Sequence, residues 1–543
     1  MKKGILKKTV VIALSLILVV GTLVGCKGEE NPAETEGLAN EDGETNEENV
    51  TPGIDGWKAF SDNVTLQVAV YDRGAQGIDP VTDNGYTRYV QENFGDKYNI
   101  TVEFVPISRN DVMTDYALLS SGGDLPTILM EYDYPKVTQW ANDGYLQSID
   151  LDEFAKVAPT YYQRMVDLEQ IEYTIVNDET YFVLAERPYY DTTYTYVTFC
   201  RMDWLREVGY DQVPQNYEEY TDALQKIIDA GISEHPAGGS MKFAASHFNA
   251  EAEYFSFRED PIDEEDWVQH STLSTPAFSW EPTKEAIRRI NAEYNAGYMD
   301  PEYFTIDAEM EKANFINGKQ FAYSGYMASR VDWLESFYDA NPDAELAILY
   351  DERLVEEGVV DYVQMRSNNP YGMTIGFGNN ASENELKAAW MYLEWSTLNI
   401  EELQSHPEDW NNFNNSKDYW CVTIESVQED TIDEAIASIT PEGIPQDFTQ
   451  DLLDYYYYLK EIADNGHAYT DPQFAVAIKS EAEYSATLLS LAVEYYDTLV
   501  MCDPDEFDDQ YEKLSQAYLD AGYQEVIDER LEAYKAGNTT KLY

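Results

Sequence analysis

A chain of 543 residues with 35 basic and 102 acidic side chains carries a formal net charge of −67. Nucleic acids and anionic lipid surfaces both require a basic face, so this balance excludes them as partners. The length suits two or three domains with proper cores, and for any one of the 44 tyrosines a place in a core is the expected one.

Lys2, Lys3, Lys7 and Lys8 precede an apolar run from Val10 to Val20 that only Ser15 interrupts. A charged segment followed by an apolar stretch is the pattern of a secretory signal peptide. The run is shorter than the about 20 residues of a membrane-spanning helix. Leu23-Val24-Gly25-Cys26 then resembles the lipobox of bacterial lipoproteins. That resemblance implies removal of residues 1–25, a diacylated Cys26, and a mature protein held at the extracellular face of the cell membrane. The four lysines go with the signal, leaving 31 basic against 102 acidic residues and a net charge of −71. Residues 26–56 are acidic and almost free of aliphatic side chains, which reads as a flexible tether spanning about 30 Å. Cys200, Cys421 and Cys502 are an odd number at wide spacing, so no disulfide framework is expected.

The alternation of Val64, Leu66, Val68 and Val70 marks the first strand. A helix follows over 86–94, then a strand over 100–105 closed by Pro106. A second helix, 111–120, ends at Gly122-Gly123, and Thr127–Met130 is the third strand. This β-α-β-α-β order builds a parallel sheet with right-handed crossovers. Ligands of such sheets bind beyond the carboxyl ends of the strands, which directs attention to Tyr71-Asp72-Arg73 and Glu131-Tyr132-Asp133. Strands are expected over 181–185 and 194–200. Asn216 caps a helix that Gly231 ends, with Glu219 closing a capping box. Another helix covers 283–296 and stops at Gly297, and Ser382 with Glu385 boxes the start of a third. From about Phe448 onward the pattern is mainly helical.

Gly123-Asp124-Leu125-Pro126 with Ile128 resembles bacterial extracellular solute-binding proteins of family 1, the lipoprotein receptors of ABC importers, mostly for carbohydrates. Asp143-Gly144-Tyr145-Leu146 and Arg201-x-Asp203-Trp204-Leu205-x-x-x-Gly209 agree in order with that family. So do Ala296–Glu302 and Phe315-Ile316-x-Gly318-Lys319. The resemblance implies an α/β fold of the two-lobe, periplasmic-binding-protein-like kind (type II), with a hinge and a helical C-terminal region. It places residues 57–170 plus 366–430 in one lobe and 171–365 plus 431–543 in the other. Asn216 and Phe321–Ala322 depart from the family's usual residues. A small carbohydrate ligand, ABC permease subunits and a monomeric state follow from the same likeness.

Sugar recognition needs flat aromatic faces and charged groups that bond hydroxyls. The candidate ligand residues are therefore Tyr71, Arg73, Glu131, Asp133, Arg201, Tyr326 and Trp333, with Cys26 as the lipidation site. Each has an ordinary alternative: solvated loop acids, internally paired arginines, core aromatics. Arg109 belongs with the scarce cations for which internal pairing is expected, and Tyr455–Tyr458 faces all sides of a helix and reads as packing. No catalytic motif, cofactor or metal is expected. His235, His247, His270, His406 and His467 lack ligand spacing, and Asp503, Asp505, Asp508 and Asp509 lack the glycine and glutamate of an EF-hand. Two alternatives stay open at this point, a secreted glycoside-active enzyme and a binding subunit that feeds a sensor.

Overall fold

A computed structural model describes residues 54–72, 79–109, 111–185, 196–239, 262–272, 275–326, 333–350, 364–367, 369, 371–405 and 446–539. The signal peptide, Cys26 and nearly all of the tether lie outside these residues. The chain first lays down β1 (Val64–Asp72), β2 (Ile100–Ser108), β3 (Ile128–Glu131) and β4 (Phe182–Leu184). It then forms β5 (Tyr196–Arg201), β6 (Ala322–Tyr326) and β7 (Leu346–Leu349). After β8 (Met365–Arg366) it returns to the first sheet as β9 (Thr374–Phe377), and β10 (Ala468–Tyr469) comes last.

The first sheet has the order β2-β1-β3-β9-β4, and the second β6-β5-β7. β1 runs parallel to both β2 and β3, while β9 is antiparallel to β3 and β4. All four residues of β3 are buried, as expected of a strand covered on both faces. The edge strand β2 does not close at Pro106; it continues to Ser108, with Pro106 opposite Val70. An edge tolerates proline because one side of its ladder has no strand to bond. The Gln91 side chain covers part of that edge, accepting from Val102 N (2.9 Å) and donating to Ile100 O (3.0 Å).

One hydrophobic core runs from Val64 to Ala185 and resumes over Tyr371–Leu403. That core also takes in Val176 and β4, which belong to a stretch expected from the sequence in the second lobe. Residues 406–430 lie outside the described ones. Glu394, 1 % exposed on the helix Glu383–Leu398, accepts from Thr160 N (3.1 Å) and Tyr161 N (2.9 Å). It thereby satisfies amides that begin the helix Pro159–Asp167 and fixes that helix to the returning segment.

The second lobe holds the remaining cores, two around its sheet and one among the C-terminal helices. Those helices are Gln446–Asp464, Lys479–Met501, Phe507–Tyr518 and Gln524–Lys535, so the C-terminal region is mainly helical. Tyrosines serve here as core residues with a satisfied tip: Tyr511 donates to Phe278 O (2.8 Å) and Tyr518 to Pro276 O (2.7 Å). Tyr455 and Tyr456 are buried while Tyr457 is 47 % exposed, as four consecutive residues on a helix require. β8, on the stretch that returns the chain to the first sheet, pairs in parallel with β10, locked by an Arg366–Asp471 ion pair at 3.2 Å. Two α/β lobes and a helical extension make this a periplasmic-binding-protein-like fold.

Candidate functional site

Three parallel strands end side by side in the first lobe, at Asp72, Ser108 and Glu131. Tyr116 holds β3 in place, its hydroxyl accepting from Met130 N (3.1 Å) while Trp140 packs edge-on against its ring at 4.5 Å. β9 adds a bond from Thr374 Oγ1 to the carbonyl of Glu131. The strand end is therefore rigid, and the side chains it carries are preorganised.

Tyr71, fully buried, stacks on Tyr132 with ring centroids 6.0 Å apart. The guanidinium of Arg109 lies over both rings, 5.0 Å from Tyr71 and 5.6 Å from Tyr132. Burial, then the charge of Glu131, pushes the Tyr71 phenol well above its ordinary range. Glu131 is 0 % exposed; its Oε1 accepts from Tyr132 N (2.8 Å) and Asp133 N (3.1 Å) and lies 3.9 Å from Arg109 Nη1. Its Oε2 is buried with no hydrogen-bond partner among the described residues. A buried charge without full compensation is expensive, and such groups concentrate at functional sites.

Asp133 opens the helix Tyr134–Asn142 and pairs with Lys136 at 3.3 Å. Burial, opposed by Lys136 and aided by Glu131 and Glu481, pushes its carboxyl up to about 6. The unfolded chain ionises such a group near 4. Between about pH 4 and 6 the folded state therefore holds more protons, and stability falls as pH rises through that window. Asp133→Asn should raise the unfolding free energy at pH 7.5 by about 1–2 kcal/mol, allowing for screening of a carboxyl that is 28 % exposed. Urea unfolding across pH 4–8 checks this; an unchanged pH profile would mean the carboxyl is not destabilised by its surroundings.

The sequence-derived candidates divide between two places. Tyr71, Glu131 and Asp133 come together, and Arg73 lies outside the described residues. Arg201 is in the second lobe, 6 % exposed, held by Asp203 (2.8 and 2.6 Å) and packed over Trp204 at 4.7 Å. Trp333 begins the helix Trp333–Ala340 and is 7 % exposed among the rings of Phe199, Phe315, Tyr323 and Phe337. Both placements are those of core residues. Tyr326 ends β6 opposite Tyr196, and its side chain is not among those described. Tyr132, within the strand-end stretch the sequence points to, and Arg109, for which internal pairing is the favoured expectation, join the site, as does Lys136, which the sequence does not single out. With β2 closed at Pro106, Arg109 falls inside a connection; with β2 running to Ser108, the same strand-end argument finds it at once.

Among the described residues no group of three or more His, Cys, Asp or Glu could hold a metal ion. The acids of the 503–509 segment have other work: Asp503 accepts from Asp505 N (3.0 Å), and Asp508 pairs with Arg288 (2.7 Å) and Lys284 (3.0 Å).

The family model described as bacterial extracellular solute-binding protein matches residues 79–399. The chain belongs to that family. This solute-binding protein shares its fold with alginate-binding protein AlgQ2, at a TM-score of 0.58 and 16 % identity, covering 88 % of this chain and 99 % of that one. An extracellular solute-binding protein from Bifidobacterium longum subsp. infantis gives 0.58 and 12 %, covering 89 % and 100 %. An HMO binding, ABC-transporter associated solute binding protein from Bifidobacterium longum infantis gives 0.59 and 11 %, covering 88 % and 99 %. At such identities the likeness establishes the fold. No curated protein sequence matches the chain. Family membership gives the protein an extracellular binding role, and that role is capture of a solute without chemistry on it.

Proposed function

We propose that this solute-binding protein is a lipid-anchored monomer that captures a saccharide in the cleft between its lobes and delivers it to an ABC permease. The observation that carries the reading is the Tyr71–Arg109–Tyr132 stack, backed by Glu131, at the carboxyl ends of parallel strands. Aromatic faces suit the C–H surfaces of a pyranose ring, and a charged group bonds a hydroxyl about twice as strongly as a neutral one. Shared fold with an alginate-binding protein and an HMO binding protein supports a saccharide here. On this reading the lobes close about the segments that join them, because a ligand gripped from both sides binds the closed form better than the open one.

Residues 26–56 act as the tether, and Cys26 carries the acyl chains. Two chains hold a protein at a bilayer far better than one, since each buried methylene contributes about 0.8 kcal/mol. Cys26→Ser should leave the protein unacylated, with its signal uncleaved or the chain released into the medium. Mass spectrometry of the wild-type N-terminus decides the point, and an unmodified terminus downstream of Cys26 would contradict it.

The saccharide reading is tested by a thermal-shift screen over mono- and oligosaccharides, followed by chromatography of the best ligand after incubation. A ligand at 100 times its dissociation constant should stabilise the protein by about 2.7 kcal/mol and be recovered intact. Stabilisation by amino acids or peptides alone would replace the saccharide with another solute.

A further inference from the structure

Arginines in a chain this acidic are expected to be occupied. Arg88, Arg201, Arg206, Arg288, Arg366 and Arg530 each lie within 3.4 Å of a carboxylate. Arg109 and Arg289 sit farther off, each 3.9 Å from a carboxylate, Glu131 and Glu293. The Arg109 guanidinium makes no hydrogen bond among the described residues. The two tyrosine faces hold the group by its plane, which leaves the N–H edge with its fork of donors unspent.

Accessibility sorts the neighbouring charges. Glu131 is 0 % exposed, so it sets the position of Arg109 without reaching a ligand itself. Among the described residues at these strand ends, solvent reaches Arg109 at 33 %, Lys136 at 35 %, Asp133 at 28 % and the exposed Asp72. Lys136 and Asp133 offset each other at 3.3 Å, so the geometry of the Arg109 guanidinium, and not a surplus of positive charge, is what marks the place.

We propose that the saccharide carries a carboxylate, as a uronic-acid unit does, and that Arg109 is the residue that reads it through paired N–H···O bonds, with Glu131 as its positioning residue. This inference rests on the saccharide reading of the site. Planar carboxylate matches the guanidinium fork bidentately, and a hydroxyl pair matches it less well because each hydroxyl oxygen is held at tetrahedral geometry. Lys136 supplies a second cation at the rim for a neighbouring anionic unit, as a point charge.

Calorimetry with the full mature chain separates the possibilities, using a galacturonate trisaccharide, the neutral galactose trisaccharide and a sulfated galactose trisaccharide. The galacturonate form should bind at least about 10-fold tighter than the neutral one, the scale of one charge-assisted contact. Arg109→Gln should bring the two within about 3-fold of each other in protein that is still folded at the assay temperature, and Arg109→Lys should fall between. Equal or tighter binding of the neutral sugar would overturn the inference while leaving the saccharide reading intact. Tightest binding of the sulfated sugar would overturn the carboxylate assignment. A preference for galacturonate that survives Arg109→Gln would remove Arg109 from the role, and no binding of any saccharide would overturn the reading beneath it.

Discussion

Arg530→Met should destabilise the protein by about 3–5 kcal/mol, because it strips the counter-charge from a buried carboxylate. Arg530 is 1 % exposed on the helix Gln524–Lys535. Its Nε donates to Val268 O (2.8 Å), its Nη2 to Ser271 O (2.9 Å), and its Nη1 lies 3.4 Å from Glu481, itself 4 % exposed. One side chain therefore ties three separate stretches of the second lobe. Methionine keeps much of the volume, so the loss comes from the polar partners more than from a cavity. Adding Glu481→Gln should recover part of the loss, since the orphaned charge is then gone. Urea unfolding of the single and double variants checks both statements; a single-variant loss below about 1 kcal/mol would show that solvent reaches the carboxylate.

Trp333→Ala should cost about 3–5 kcal/mol of stability and leave ligand affinity unchanged. The ring is packed by Phe199 at 5.1 Å, Tyr323 at 5.3 Å and Phe315 at 5.6 Å, all close to edge-on. Edge-to-face pairs of this kind each contribute about 0.5–1.5 kcal/mol beyond their buried area. A ring so enclosed has no face left for a sugar. Weakened binding with an unchanged melting temperature would return Trp333 to the cleft.

The sequence made the scaffold legible where local chemistry acts alone. Alternating valines gave β1, Ser382 with Glu385 formed the capping box, and Gly123 adopts φ +75° at the end of its helix. Asn216 caps as expected, but Glu219 reaches Gln215 N (2.9 Å) and not the cap residue's own amide. What depended on pairing was less visible. The extension of β2 through Pro106 comes from nine residues of parallel register with β1, which outweigh one missing donor. β8 and β10 are two residues each and exist only because two distant segments meet.

The site followed the same division. Tyr71, Glu131 and Asp133 could be expected side by side because strand ends can be placed from periodicity, and a strand's last residue is a position. Arg201 and Trp333 could not be separated from ligand contacts by sequence, since an arginine paired two residues away and a ring among four others look alike in one dimension. The most recognisable stretch of the chain, Arg201–Gly209, turns out to be a packing unit of Arg201, Asp203 and Trp204.

The most direct test is a crystal structure of the complex with the tightest saccharide from the screen. The sugar is expected against Tyr132 at the ends of β1–β3, with Arg109 at hydrogen-bond distance, about 3 Å, from a ligand oxygen. A sugar bound elsewhere, with Arg109 still stacked on Tyr71 and touching no ligand atom, would contradict the account.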